Sequence, residues 1–219
     1  VSSRTCWTMT FIDVFNGDAD GICALHQLRL HNPRSDTLLI TGVKRDIDLL
    51  ARIQDVDNSE ITVLDISLDR NREALLHLLE RDNRILYIDH HFSGEIPDSE
   101  NLEAHIDPSP RTCTSIIVDA MLQGAYRPWA IVGAFGDNQD ESALRLAQDL
   151  SLDAESVAAL KETGILLNYN GYGAHPDDLF FPPDVLYRQV RAYADPLLFY
   201  AKSETLRTLR QGYEDDMRL

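Results

Sequence analysis

Apolar residues fall along this chain in short runs, separated by stretches whose apolar positions recur at helical spacing. Phe11-Ile12-Asp13-Val14-Phe15 reads as a first strand, mostly apolar as strands covered on both faces are. It runs into Asn16-Gly17-Asp18-Ala19-Asp20-Gly21, and Ile22 to Leu28 has helical character. Thr37 to Gly42 is a second strand, and Asp46 to Ile53 reads as a helix. Ile61-Thr62-Val63-Leu64-Asp65 is a third strand that ends in a carboxylate. From Arg72 to Arg81, Leu75, Leu76, Leu78 and Leu79 recur at three and four, as in an amphipathic helix. Arg84 to Ile88 is a fourth strand, and it delivers Asp89-His90-His91 to its end. Strands alternating with helices imply βαβ units. The fold class predicted is α/β: a doubly wound, mostly parallel sheet flanked by helices and followed by a helical C-terminal segment.

Further along, Ala104 to Pro108 reads as a short edge segment, and Thr112-Cys113-Thr114-Ser115 opens a helix that continues to Leu122. Pro128 to Phe135 is an apolar helix or strand ending in Gly136-Asp137-Asn138. Asp140 to Leu150, Asp153 to Leu167, Val185 to Tyr193 and Pro196 to Leu209 read as helical, with Asn168 to Gly173 as a turn-rich loop between them. The tyrosines and asparagines of that loop suit a base or ribose, although loop aromatics more often pack on their own domain. The expected division is an α/β domain over 1–150 and a helical extension over 151–219.

Charge narrows the partners. Lys+Arg number 20 against Asp+Glu 36, a net charge of -16, so long duplex nucleic acid is repelled and no Lys/Arg cluster offsets this. No apolar run approaches a membrane span, and Val1 to Thr10 lacks the apolar core of a signal peptide, so a cytoplasmic protein is expected. Cys6, Cys23 and Cys113 form no CxxC pair and suit reduced thiols, with Cys23 and Cys113 as small buried hydrophobes.

The candidate chemistry lies at the strand ends, where open α/β sheets bind ligands. Asp18 and Asp20 bracket a small residue and can project to one point, where a cation relieves their repulsion. Helix capping is the plain alternative for Asp18, and for Asp65. Imidazole beside carboxylate at Asp89-His90-His91 suits a divalent transition metal. Thr114 and Ser115 open a helix whose first-turn amides either cradle an anion or are capped in the ordinary way, with equal weight. Arg111 is either a bidentate phosphate ligand or, more commonly for a single arginine, half of a surface ion pair. His26, His77 and His105 read as structural or surface residues.

Asp18-Ala19-Asp20-Gly21, Asp65 after its strand, Asp89-His90-His91 and Gly136-Asp137 stand in the order of the four motifs of DHH-family phosphoesterases. Over about the first two thirds of its length the chain resembles that superfamily. The superfamily includes RecJ-like nucleases, oligoribonucleases, cyclic dinucleotide phosphodiesterases, exopolyphosphatases and family II pyrophosphatases. The resemblance implies a two-metal centre, usually manganese, with magnesium as the alternative. Asp65 would bridge the ions, Asp18 would serve one, and Asp20, His90 and Asp137 the other. Asp89 would orient His90, and His91 would face the transferred phosphoryl group. Apart from the resemblance, Asn16, Arg111, Thr114 and Ser115 are the candidates for binding substrate. Several members carry a histidine where this chain has Val14, so the first ion is expected to be weaker or missing here; RecJ-like members also lack it. The substrate implied is a small phosphodiester or short single-stranded nucleic acid, and a homodimer is the assembly considered. Phosphoanhydride hydrolysis and a nucleotide-binding module without turnover are the alternatives. No Gly-Gly-Gly-His motif of the DHH-associated C-terminal domain is present, so that domain is expected to be absent or cut off.

Overall fold

The computed structural model describes residues 9–173 and 175–218. Cys6 and most of the Val1–Thr10 segment lie outside them. Five strands form one sheet: β1 (Thr10–Asn16), β2 (Thr37–Gly42), β3 (Ser59–Leu64), β4 (Arg84–Asp89) and β5 (Leu102–Ile106). Their order is β2-β1-β3-β4-β5 and every pairing is parallel. The order reverses between β1 and β3, which opens a crevice at the C-terminal ends of those two strands.

Period-two alternation assigns the strand side chains to two cores. Ile12, Val14, Ile61, Val63, Ile85 and Tyr87 pack with Leu75 and Leu78 of α2 (Leu68–Leu79) on one face. Phe15, Leu64 and Ile88 pack on the other face against α1 (Ala19–His31), α3 (Thr114–Met121) and α4 (Arg127–Gly136). Behind these lie α5 (Asp140–Asp149) and α6 (Ala154–Asn170), then α7 (Pro183–Val190), α8 (Pro196–Lys202) and α9 (Glu204–Asp216). Leu160, Leu166 and Leu167 of α6 and Phe199 of α8 belong to the same core as Phe15, so the helical extension packs on the sheet domain. The fold is the α/β architecture expected, with the 128–135 segment a helix and β5 at the sheet edge.

Three expectations are corrected. The Asp46–Ile53 segment is helical only as a 3-10 turn at Leu50–Ile53. Buried Asn71 holds it in that shape, donating to Ile47 O at 2.7 Å and accepting from Leu50 N at 3.2 Å, which replaces the ladder of a full helix. The Pro196–Leu209 helix is broken at Ser203, whose ψ of 122° is extended. Its N–H closes α8 on Phe199 O at 2.9 Å, and its hydroxyl caps α9 by accepting from Leu206 N at 3.2 Å. The Asn168–Gly173 loop starts later than expected, because α6 runs on to Asn170. There the Asn170 amide pairs with both backbone groups of Phe181, at 2.8 and 3.0 Å, and fixes the chain that follows.

His26 on α1 is a core histidine, as the sequence suggested. It is 1% exposed, edge-on to Trp129, with Nε2 donating to Tyr193 O at 2.8 Å. Burial lowers its pKa from 6.5 to about 4. Between those values the unfolded chain binds the extra proton, so the stability is complete above about pH 6.5 and is lost as pH falls towards 4. Denaturant titrations at pH 7 and pH 4 are expected to show the parent losing about 3 kcal/mol more than His26→Gln. Equal losses in the two proteins would contradict this assignment.

Candidate metal centre

Three strand ends and the end of α4 converge at the crevice. Asp18, just beyond β1, is the N-cap of α1; its Oδ1 accepts from the backbone N–H of Asp20 at 3.1 Å and of Gly21 at 3.2 Å. Gly21 is required there, because a Cβ would lie 3.0 Å from both N and C of Asn16, closer still to its carbonyl oxygen. Asp20, in the first turn of α1, is 1% exposed and faces the N-terminus of α3. The Thr114 and Ser115 amides donate to its two oxygens, each at 2.8 Å, and Ser115 Oγ donates to its carbonyl at 2.9 Å. Of the two readings of Thr114 and Ser115, the structure shows first-turn amides taken by the chain's own Asp20 carboxylate, so these N–H groups are not free for a substrate as expected.

Asp65 follows β3 in the left-handed region, at φ 59°, and accepts from Thr114 Oγ1 at 3.1 Å. Asp137 is the C-cap of α4 and is partly exposed. His90, after β4, turns Nε2 to all three acids: 3.4 Å from Asp65 Oδ1, 3.7 Å from Asp137 Oδ2 and 4.0 Å from Asp20 Oδ2. Donors about 2.1 Å from a common cation stand about 3 to 4 Å apart, so each of these distances suits a pair of donors sharing a divalent ion. Two overlapping groups of possible ligands result, Asp20-His90-Asp137 and Asp65-His90-His91, and both run through His90.

Asp89 does not orient His90 as expected. Its Oδ1 lies 2.6 Å from His91 Nδ1. β4 ends at Asp89 and the chain bends at His91, which brings His91 back to the Asp89 carboxylate while its ring stays beside that of His90, centroids 4.4 Å apart. An ionised carboxylate only accepts, so Nδ1 carries the proton and Nε2 of His91 is left for a ligand. The hydrogen bond to Asp89 outweighs partial burial and raises the His91 pKa, which favours the imidazolium form. The other Asp89 oxygen is buried without a hydrogen-bond partner.

The acids crowd one another. Burial, then Asp20, Asp18, Asp89 and Asp137, push Asp65 well above the usual carboxylate range. Burial and Asp20 raise Asp137 to about 6. Asp18 alone goes down: burial would raise it, but the Lys44 ammonium beside it and the Gly21 N–H outweigh that.

Lys44, from the loop after β2, was not anticipated. Its Nζ donates to Asp18 Oδ2 at 2.7 Å and to Asn168 Oδ1 at 3.0 Å, and lies 4.0 Å from Asp137 Oδ1. No local sequence signal ties a lysine in a loop to an acid in another turn, or to Asn168 on α6. Around these groups lies a cleft of about 480 Å³, lined also by Asn16, Arg70 and Phe92. Asn16 is 8% exposed and its Oδ1 has no hydrogen-bond partner. Val14 is buried in the opposite core and offers no donor. Arg111 is not in the cleft: its side chain is exposed, 4.0 Å from Glu141. Arg70, in the first turn of α2, lines the cleft instead and makes no ion pair among the described residues. His105 pairs with exposed Glu103, and Cys23 and Cys113 are buried free thiols. Among the described residues no helix is long and apolar enough to cross a membrane.

No protein-family model and no curated protein matches the sequence. Among solved structures, the exonuclease RecJ bound to manganese superposes with a TM-score of 0.56 at 14% identity, over 95% of this chain and 63% of that one. RecJ in complex with Mn2+ from Thermus thermophilus gives a TM-score of 0.47 at 15% identity, over 95% of this chain and 36% of that one. This chain thus spans less than two thirds of either RecJ. At such identities the likeness is one of fold, and it places this chain's α/β architecture beside that of RecJ.

Proposed function

We propose that this chain is a metal-dependent hydrolase of phosphoester bonds, acting on small phosphodiesters or short single-stranded nucleic acid. The observation that carries the reading is the convergence of Asp20, Asp65 and Asp137 on His90 Nε2, beside a His91 held by Asp89. The fold likeness to a nuclease crystallised with manganese supports it, and manganese is the ion expected, with magnesium as the alternative. Asp20, Asp65, His90 and Asp137 would hold the ion, which when bound supplies Lewis acidity towards a phosphoryl oxygen.

The remaining groups are placed for the rest of the task. His91, with Nδ1 fixed on Asp89, presents Nε2 to donate a hydrogen bond or proton to charge developing on phosphate oxygen. Arg70 at the cleft offers a planar donor pair to a phosphate. Phe92 is 73% exposed at the cleft, a platform on which a base stacks without sequence preference. The net charge of -16 disfavours long duplexes, while a bound cation reverses the field locally.

The test is hydrolysis of bis(p-nitrophenyl) phosphate and a short single-stranded oligonucleotide with added manganese, beside His90→Ala. The parent is expected to turn over both, and the variant to lose on the order of 10²–10³ in rate. A variant as active as its parent, or a parent inert on both substrates, would refute the proposal.

A further inference from the structure

The cleft has two ends of different character. At one end His90 Nε2 faces Asp20, Asp65 and Asp137. At the other the Lys44 ammonium sits among oxygens from three elements: Asp18 Oδ2 at 2.7 Å, Asn168 Oδ1 at 3.0 Å and Asp137 Oδ1 at 4.0 Å. Those are donors of the type that hold a hard divalent cation. The other Asp18 oxygen is already taken by two backbone N–H groups, so Lys44 engages the oxygen left over. Asn16 Oδ1, buried without a partner, points to a ligand still to be accommodated in the same cleft.

We propose that Lys44 is the resident cation of the Asp18 end, so that this centre binds one divalent ion, at the His90 end, and not two. The inference rests on the metal-centre reading above and departs from the two-ion arrangement that the family resemblance implies. Three features of the chain agree. Val14 supplies no donor at the position where several members of the resembled family, though not its RecJ-like ones, carry a histidine. Asp18 belongs to neither group of possible ligands, whereas both groups include His90. His90 Nε2, the nitrogen that faces all three acids, has a single lone pair and can ligate one ion only. A tethered ammonium is a fixed positive charge with no open coordination positions. It offsets the acid cluster and can approach a phosphate oxygen, but it cannot activate water.

The experiment is Mn2+ binding to the full chain, counted by calorimetry and by electron paramagnetic resonance, for the parent, Lys44→Met and Lys44→Arg. The parent is expected to bind one ion with the spectrum of an isolated Mn2+. Lys44→Met removes the charge and frees Asp18, Asn168 and Asp137 oxygens, and is expected to bind two ions with a spin-coupled spectrum. Lys44→Arg keeps the charge and is expected to stay at one, which also separates loss of charge from damage to the fold. Two ions in the parent, or one in a folded Lys44→Met chain, would overturn the inference and leave the hydrolase reading intact. No binding by the parent would overturn both.

Discussion

An Asp65→Asn chain is expected to be more stable than its parent without metal and to bind metal far more weakly. The two effects have one cause. Asp65 is buried among four other acids, and its pKa is raised well above 3.8 in the folded state. The folded chain therefore holds a proton that the unfolded chain releases, and stability falls as pH rises through and above the ordinary carboxylate value. An amide removes that penalty, so the variant is expected to gain stability over the parent at pH 8 and nothing below about pH 4. Asparagine is the right probe because it tolerates the left-handed backbone at φ 59° and can still accept from Thr114. As a ligand it is far poorer than a carboxylate, so Mn2+ affinity should fall by about 100-fold or more. Denaturant titrations at the two pH values and a metal titration measure both arms. A variant less stable than the parent at pH 8 would show that Asp65 is a structural anchor and not a crowded ligand.

The second large effect is expected at Gly164, far from the chemistry in sequence. On α6 it meets Gly136 of α4, and a Cβ there would strike the Val132 carbonyl oxygen and lie 2.8 Å from Gly136 N. Both are backbone atoms and cannot rotate away. Replacing a helical glycine gains about 1 kcal/mol of intrinsic propensity, while overpacking costs about 1–3 kcal/mol. The clash wins, and the two branches of valine worsen it. Gly164→Val is therefore expected to lose about 3 kcal/mol, seen as a lower midpoint at unchanged slope. Asp137 directly follows Gly136, so Mn2+ affinity should weaken in whatever fraction remains folded. Unchanged or increased stability would mean that α4 and α6 have room to part.

What could be read from the chain beforehand follows from how local each determinant is. Strand runs such as Ile61–Leu64 are apolar because both faces are covered, so they stand out. Asp18, Asp65, Asp89 and Asp137 were visible because each ends an element. The Asp89–His91 pairing was not legible, because β4 ends at Asp89 and the chain bends at His91, and Asp89 was assigned to His90. Lys44 and Asn168 were not readable, because Lys44 reaches Asp18 and Asn168 only through the packing of β2 and α6 against the β1–α1 turn. Arg70 went unmarked, and of the two readings of Arg111 the exposed one, beside Glu141 and away from the cleft, is the one found. Ser203 went unmarked as a helix break because serine is tolerated within helices as well as at their starts.

The grip of the helix starts on Asp18 and Asp20 has a further consequence. Four backbone N–H groups, from Asp20, Gly21, Thr114 and Ser115, hold those two carboxylates in place without any ion. These two carboxylates are thus fixed once α1 and α3 have formed, with no ion needed to hold them. On the proposed function, loading would then be a reversible event on a finished molecule, and supply of the ion, not renewal of the chain, would govern how much of the population is in working order.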